Sequence, residues 1–98
     1  MSVFVDDKGF SVRGCEVRWD AIRAIATYKR DLFIYDDICL AFQMEAELWV
    51  EVSEEEPHFQ LLVREVERRF PGVPEDWFTA VMHPAFEPNY SVLWRKGA

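Results

Sequence analysis

Few residues of this 98-residue chain are of the types that most often carry catalysis. His58 and His83 are the two histidines, and Cys15 and Cys39 are the two cysteines. Neither histidine has a histidine or cysteine at zinc-ligand spacing, and a cysteine–histidine nucleophile pair would need an activated thiol. Both cysteines fall in strand-like segments, where a reduced and at least half-buried thiol is the simpler interpretation. We therefore predict a chain that is not an enzyme and holds no metal or cofactor.

Carboxylates are the reactive groups that the chain has in quantity. They are grouped as Asp6–Asp7, Asp36–Asp37 and Glu54–Glu56. Paired acids perform acid–base chemistry or bind hard cations. However, the two aspartate pairs lie where turns are expected, and the glutamates precede a helix whose dipole favours negative charge there. We favour the structural interpretation and keep the functional one as the alternative.

The net charge of −7 comes entirely from the middle third of the sequence. Residues 31–63 hold nine acids and no lysine or arginine, whereas residues 1–30 sum to +2 and residues 64–98 to zero. Nucleic-acid binders need clustered basic residues, so we expect no nucleic-acid partner. No apolar run has the length of a membrane span, and the N-terminus lacks the pattern of a secretion signal. These features predict a cytoplasmic protein without a membrane partner.

The clearest element is a helix over residues 57–70. Apolar residues recur at helical spacing, as Phe59, Leu62, Val63, Val66 and Phe70. Pro57 suits a first helical position, and Pro71–Gly72 ends the helix. Ser53 and Glu56 form an alternative capping box, which would start the helix earlier. In either case the apolar stripe has to lie on another surface.

Period-two alternation and turn residues predict six strands before this helix. They are Ser2–Val5, Phe10–Arg13, Cys15–Trp19, Arg23–Arg30, Ile38–Phe42 and Leu48–Val52. Residues 19–35 also fit a helix, but we favour a single turn at Trp19–Ile22 followed by a strand. Asp36–Asp37 is expected to be a turn. In the last strand, Leu48, Val50 and Val52 face one way and Trp49 the other, so Trp49 is either covered or an exposed binding anchor.

The rest of the chain completes a single domain over residues 1–98. Trp77, Phe78, Val81 and Met82 indicate a short second helix, and residues 90–94 indicate an extended segment. The predicted fold class is α+β. It is an antiparallel bent sheet or open barrel of about six strands, closed by the amphipathic helix at 57–70, with the short second helix and the extended C-terminal segment.

The order of elements resembles a pleckstrin-homology-like domain. The residues that carry this resemblance are Val17 to Ile25, a strand followed by Trp19, Ile22 and Ile25 at the spacing found in bacterial members. The resemblance covers residues 1 to about 70 and implies that the helix at 57–70 closes the end of a bent sheet of seven strands. The sequence departs from that pattern in its six strand candidates and its long C-terminal segment. The chain also resembles small bacterial proteins, some of which are immunity proteins for toxins.

We expect a non-catalytic domain that binds a protein partner or forms a homo-oligomer. The candidate partner-binding residues lie in the acidic middle third and are Asp36, Asp37, Glu45, Glu47, Trp49 and Glu51. The alternative is an immunity-type inhibitor whose acids occupy the basic groove of a toxic nuclease. A third possibility is a small-molecule or enzymatic site between sheet and helix.

Overall fold

The computed structural model describes residues 3–31, 36–82 and 90–97. The strands are β1 (Phe4–Val5), β2 (Gly9–Val12), β3 (Cys15–Arg18), β4 (Ala24–Asp31), β5 (Asp36–Gln43), β6 (Trp49–Ser53) and β7 (Ser91–Arg95). The helices are α1 (Phe59–Arg69) and α2 (Trp77–Met82), and 3-10 turns lie at Trp19–Ala21 and Glu45–Glu47. No helix in this described part of the chain is long and apolar enough to cross a membrane.

The α+β prediction is confirmed. The strands form two antiparallel sheets, one in the order β1-β2-β3 and the other in the order β6-β5-β4-β7. The extended C-terminal segment is the seventh strand, and it pairs with β4. Side chains from both sheets and α1 meet in one hydrophobic core.

Two tight turns shape the three-stranded sheet. Between β1 and β2, Asp6 Oδ1 accepts hydrogen bonds from the backbone N–H groups of Lys8 (2.8 Å) and Gly9 (3.0 Å), which is how aspartate stabilises a turn. Between β2 and β3, Arg13 and Gly14 have φ angles of 50° and 75°. Two positive φ angles give the turn whose twist matches antiparallel strands. The turn expected at Asp6–Asp7 is therefore confirmed.

Residues 19–31 form a turn and a strand, β4, as predicted, and not the alternative helix. A single 3-10 turn at Trp19–Ala21 precedes β4, and the indole Nε1 of the buried Trp19 donates to the carbonyl oxygen of Asp6 at 3.1 Å. Ile25 belongs to the core, whereas Ala26 is paired opposite Ala41 of β5 on the other face. Period-two alternation therefore outweighs the helical spacing of the same residues.

The Asp36–Asp37 pair is not the predicted turn. Both residues begin β5, where Asp37 pairs with Arg30 and Asp36 with Asp31. The connection falls instead on residues 32–35, outside the described residues. The physical reason is a contact between strands, because Arg30 Nη2 lies 2.6 Å from the Asp37 carboxylate. Turn propensity is a local preference, and this ion pair overrides it.

Helix α1 buries the stripe that the sequence predicts. Its buried residues are Phe59, Leu62, Val63 and Val66, and Phe70 is buried just after its end. The helix starts at Phe59 and not at Pro57, because His58 has a left-handed backbone with φ of 71°. Ser53 and Glu56 interact as in a capping box, with Glu56 Oε2 accepting from the Ser53 N–H at 3.0 Å. These two residues close a turn before the helix, and the helix does not start at them.

A chain of aromatic rings crosses the core from one sheet to the other. Ring centroids are 4.8 Å apart for Phe42 and Phe10, 5.6 Å for Phe10 and Trp19, 6.3 Å for Trp19 and Phe70, and 4.7 Å for Phe70 and Trp94. These separations lie in the attractive range for aromatic pairs. These ring contacts join β5, β2, the end of α1 and β7. They therefore fix the two sheets and the helix relative to one another.

Gly9 allows the close approach of β2 to β3. A Cβ atom at this position would lie 1.9 Å from the carbonyl oxygen of Val17, so a strand would have to move. We expect Gly9→Ala to lower the free energy of unfolding by on the order of 3 kcal/mol, measured by urea denaturation. Gly14→Ala is the control, because its Cβ would meet nothing within 4 Å and only the left-handed backbone costs about 1 kcal/mol. Equal losses in the two variants would contradict the prediction.

Candidate functional site

The predicted acidic surface is divided between the two ends of the four-stranded sheet. Glu45 and Glu47 are exposed in the 3-10 turn that follows β5, whereas Asp37 lies near the start of β5. Asp37 and the end of β5 at Gln43 are about 20 Å apart at the usual rise of a strand. The side chain of Asp36 lies outside the described part of the chain. The predicted residues therefore do not form one continuous acidic patch.

Asp37 is enclosed by neighbouring strands, and its side chain is only 1% exposed. Its Oδ1 accepts a hydrogen bond from Ser53 Oγ at 2.6 Å, and its Oδ2 accepts one from Arg30 Nη2 at 2.6 Å. Paired and hydrogen-bonded in this way, the carboxylate is stable inside the protein. The expectation of Asp37 as a surface residue that contacts a partner is therefore corrected.

Arg30 links the buried Asp37 to the half-exposed Glu51. Its Nη1 lies 3.2 Å from Glu51 Oε1, so two carboxylates share one guanidinium group. The hydrogen bond to Asp37 is the main reason that the pKa of Arg30 is raised. The three groups together keep one formal negative charge, and part of the Glu51 carboxylate faces solvent.

Two further charged side chains, Arg13 and Glu56, contact the backbone of β6 on the side away from β5. Arg13, from the turn between β2 and β3, donates to the carbonyl oxygen of Glu51 and to the carboxylate of Glu56. The other oxygen of Glu56 accepts from the Ser53 N–H. These contacts tie the three-stranded sheet to β6 and involve backbone groups that point away from β5.

Trp49 lies on the face of the four-stranded sheet opposite the core, which we call the outer face. Its side chain is 42% exposed, whereas Val50 and Val52 are buried, as the predicted alternation requires. Leu48 does not share their face and is 56% exposed, because it ends the 3-10 turn and the strand begins one residue later. Trp49 is therefore exposed and not covered, and its role as a binding anchor stays a prediction.

Small side chains cover the middle of the outer face. They are Ala24, Ala26, Cys39 and Ala41, and all four are buried. Strand pairing brings them together, with Ala26 opposite Ala41 and Cys39 opposite Tyr28. Of these four, Ala41 lines a depression in this face.

The depression is a cleft of about 370 Å³ lined by Tyr28, Ala41, Trp49, Glu51 and Tyr90. Trp49 stands on β6, Ala41 on the central β5, and Tyr28 on β4. Tyr28 and Tyr90 stack with ring centroids 6.3 Å apart and planes inclined by 29°. The cleft thus has aromatic walls on both sides, a small apolar floor and one carboxylate.

Sequence reasoning identified Trp49 and Glu51 in this cleft but not the two tyrosines. A signal for Tyr28 exists, since the alternation of residues 23–30 puts it on the same face as Ala24 and Ala26. Tyr90 has no such local signal. Its place depends on the pairing of β7 with β4, which joins segments far apart in the chain.

His58 lies just before α1, where its Nδ1 is 3.3 Å from the carbonyl oxygen of Val3. His83 lies outside the described residues. Within residues 3–31, 36–82 and 90–97, no group of three or more histidine, cysteine, aspartate or glutamate side chains could hold a metal ion.

Comparisons of the chain with protein-family models, with curated proteins and with solved structures found no match. The resemblance to pleckstrin-homology-like domains and to immunity proteins accordingly stays a prediction.

The two thiols should differ sharply in reactivity. Burial, and then the negative charge of Asp37, raise the pKa of Cys39 to about 11, so roughly one part in a thousand is thiolate at pH 8. Cys15 is half-buried. We expect iodoacetamide at pH 8 to alkylate only Cys15 in the native protein and both residues in urea, measured by mass spectrometry. Rapid alkylation of Cys39 in a native Cys15→Ser variant would contradict this.

Glu54 should make stability depend on pH. Burial is the main cause that raises its pKa, and its carboxylate accepts from the Ile38 N–H at 3.1 Å. A raised pKa in the folded state means that protonation favours folding, so this contribution is present below the unfolded pKa of about 4.3 and is lost as the pH rises through the folded value. Glu54→Gln keeps an acceptor and cannot ionise.

We therefore expect Glu54→Gln to gain stability relative to the wild type between about pH 4 and pH 7, measured by urea denaturation. Glu75→Gln, on an exposed residue, is the control for the loss of one negative charge. A relative loss of stability for Glu54→Gln over this interval would show that the sign is wrong.

Proposed function

We propose that the chain is a non-catalytic, cytoplasmic protein-interaction domain that binds its partner on the outer face of the four-stranded sheet. The observation that carries the proposal is the exposed Trp49 in a cleft completed by Tyr28 and Tyr90. Tryptophan and tyrosine are enriched among the residues that dominate binding energy at protein interfaces. A cleft with aromatic walls gives a partner side chain a place to be desolvated.

Charge favours a different, basic protein over a second copy of this chain. Two copies would each bring a net charge of −7, and like charges slow association and weaken it. On the outer face itself, the Arg30, Asp37 and Glu51 group keeps one negative charge. Exposed Glu45 and Glu47 lie in the turn that leads into Trp49. A partner segment with basic side chains complements this arrangement.

Two free cysteines support the cytoplasmic part of the proposal. Cys15 and Cys39 are not joined in a disulfide bond, and proteins of reducing compartments rarely contain disulfides.

An immunity-type inhibitor of a toxic nuclease is the second candidate. The exposure of Glu45 and Glu47 beside Trp49 favours it, whereas Asp37 contributes no surface charge. Such a pair would associate rapidly, and added salt would reduce the association rate steeply. A basic partner held mainly by the aromatic cleft would lose less affinity over the same range of salt, because salt screens charges and not contacts between rings.

Selection of ligands from a displayed peptide library tests the proposed face. We expect Trp49→Ala to weaken the selected ligands by about 30-fold, the effect of losing a dominant interface residue, as measured by calorimetry. Leu61→Ala is the matched control, because Leu61 on α1 is exposed to a similar degree, 46% against 42%. It should change affinity by less than about twofold.

Two results would count against the proposed face. Ligands that need Leu61 and not Trp49 would place binding on the helix. A wild-type dimer in sedimentation equilibrium that Trp49→Ala dissociates would show self-association, and the partner would then be a second copy.

A further inference from the structure

We infer that the cleft between Trp49 and the two tyrosines receives an arginine side chain of the partner, an inference that rests on the protein-binding function proposed above. Among the residues that the structure describes, three aromatic side chains and one carboxylate line this cleft. A guanidinium group fits both, because its flat face stacks on aromatic rings while its N–H edges donate to a carboxylate. Stacking on the cleft walls and pairing with Glu51 can therefore occur together.

The chain already holds guanidinium groups in both of these ways. Arg69 lies over Trp19, with its Cζ 5.0 Å from the ring centroid. Arg30 lies 3.2 Å from Glu51 Oε1. A carboxylate has about four acceptor positions, so the half-exposed Glu51 has capacity for a second guanidinium.

The charge around the cleft favours a cation even with Arg30 present. Arg30 is held by the buried Asp37 as well as by Glu51, so its positive charge is divided between two carboxylates. The remaining negative charge borders the cleft through Glu51. A neutral side chain of the same shape would gain the stacking but not this attraction.

Arginine is favoured over lysine by the aromatic lining of the cleft. The rings of Tyr28, Trp49 and Tyr90 line it, and a planar guanidinium group can stack on aromatic faces. The lysine ammonium is compact and strongly hydrated, and it has no planar face to stack. We expect the cleft to discriminate between the two cations.

A second cleft on the same molecule provides an internal control. On the outer side of the three-stranded sheet, Phe4, Glu16 and Arg18 are among the residues lining a space of about 350 Å³. Phe4 is 66% exposed, but its cleft has two basic side chains, Lys8 and Arg18, beside its acidic ones. It is similar in size and lacks the three aromatic walls.

The test is a titration of the ¹⁵N-labelled protein with N-acetyl-arginine amide, followed by NMR through the backbone signals and the Trp49 indole N–H. We expect saturable shifts centred on Trp49, Glu51 and Tyr28, with a Kd on the order of 1–10 mM. N-acetyl-citrulline amide, the uncharged analogue, and N-acetyl-lysine amide should bind at least about fivefold more weakly. Trp49→Ala and Glu51→Gln should each weaken arginine binding by about fivefold, and Phe4→Ala should not change it.

Each opposite result overturns the inference. These results are equal binding of the citrulline or lysine derivative, no saturable shift at Trp49, and equal weakening by Phe4→Ala. The spectrum of each variant reports whether it is folded. If selected peptide ligands depend on Trp49 but contain no required arginine, only this inference fails. If they bind elsewhere, the proposed function fails whatever the arginine titration shows.

Discussion

Alternation along β4 and β5 is the constraint on which both the core and the candidate site depend. On one face, Ile25, Leu40 and Phe42 pack into the core with α1 and the three-stranded sheet. On the other face, Tyr28 and Ala41 line the cleft. A slip of one residue in either strand would exchange the two sets. The register that closes the core is therefore the same register that opens the cleft, and neither can change alone.

Those parts of the fold that local patterns specify were predictable from the sequence. The stripe from Phe59 to Phe70 has helical spacing, and its burial follows because an apolar stripe in water is unfavourable. In the same way, the alternation after Leu48 places Trp49 on one face of the strand and Val50 and Val52 on the other face. In both cases a few neighbouring residues contain all the information, since helix and strand periods act over short distances.

What the sequence did not reveal depends on partners that are distant along the chain. Asp37 has the local character of a turn residue, but Arg30 on β4 and Ser53 on β6 hold it in a strand. Tyr90 joins the cleft only because β7 returns to pair with β4. The late start of α1 depends on the left-handed backbone at His58, which no residue type dictates. The Tyr90 part of the cleft wall therefore comes from topology, which periodicity does not determine.

The side chains of Arg13 and Glu56 have a consequence for molecules of this chain at high concentration. A strand at the border of a sheet exposes backbone groups on which a strand of another molecule can pair, and such pairing leads to aggregates. Along β6, the Arg13 side chain donates a hydrogen bond to the carbonyl oxygen of Glu51, and the Glu56 carboxylate accepts one from the N–H of Ser53. An incoming strand would find no continuous ladder there. Two turns thus protect this border from polymerisation, although Trp49 on the same strand stays exposed.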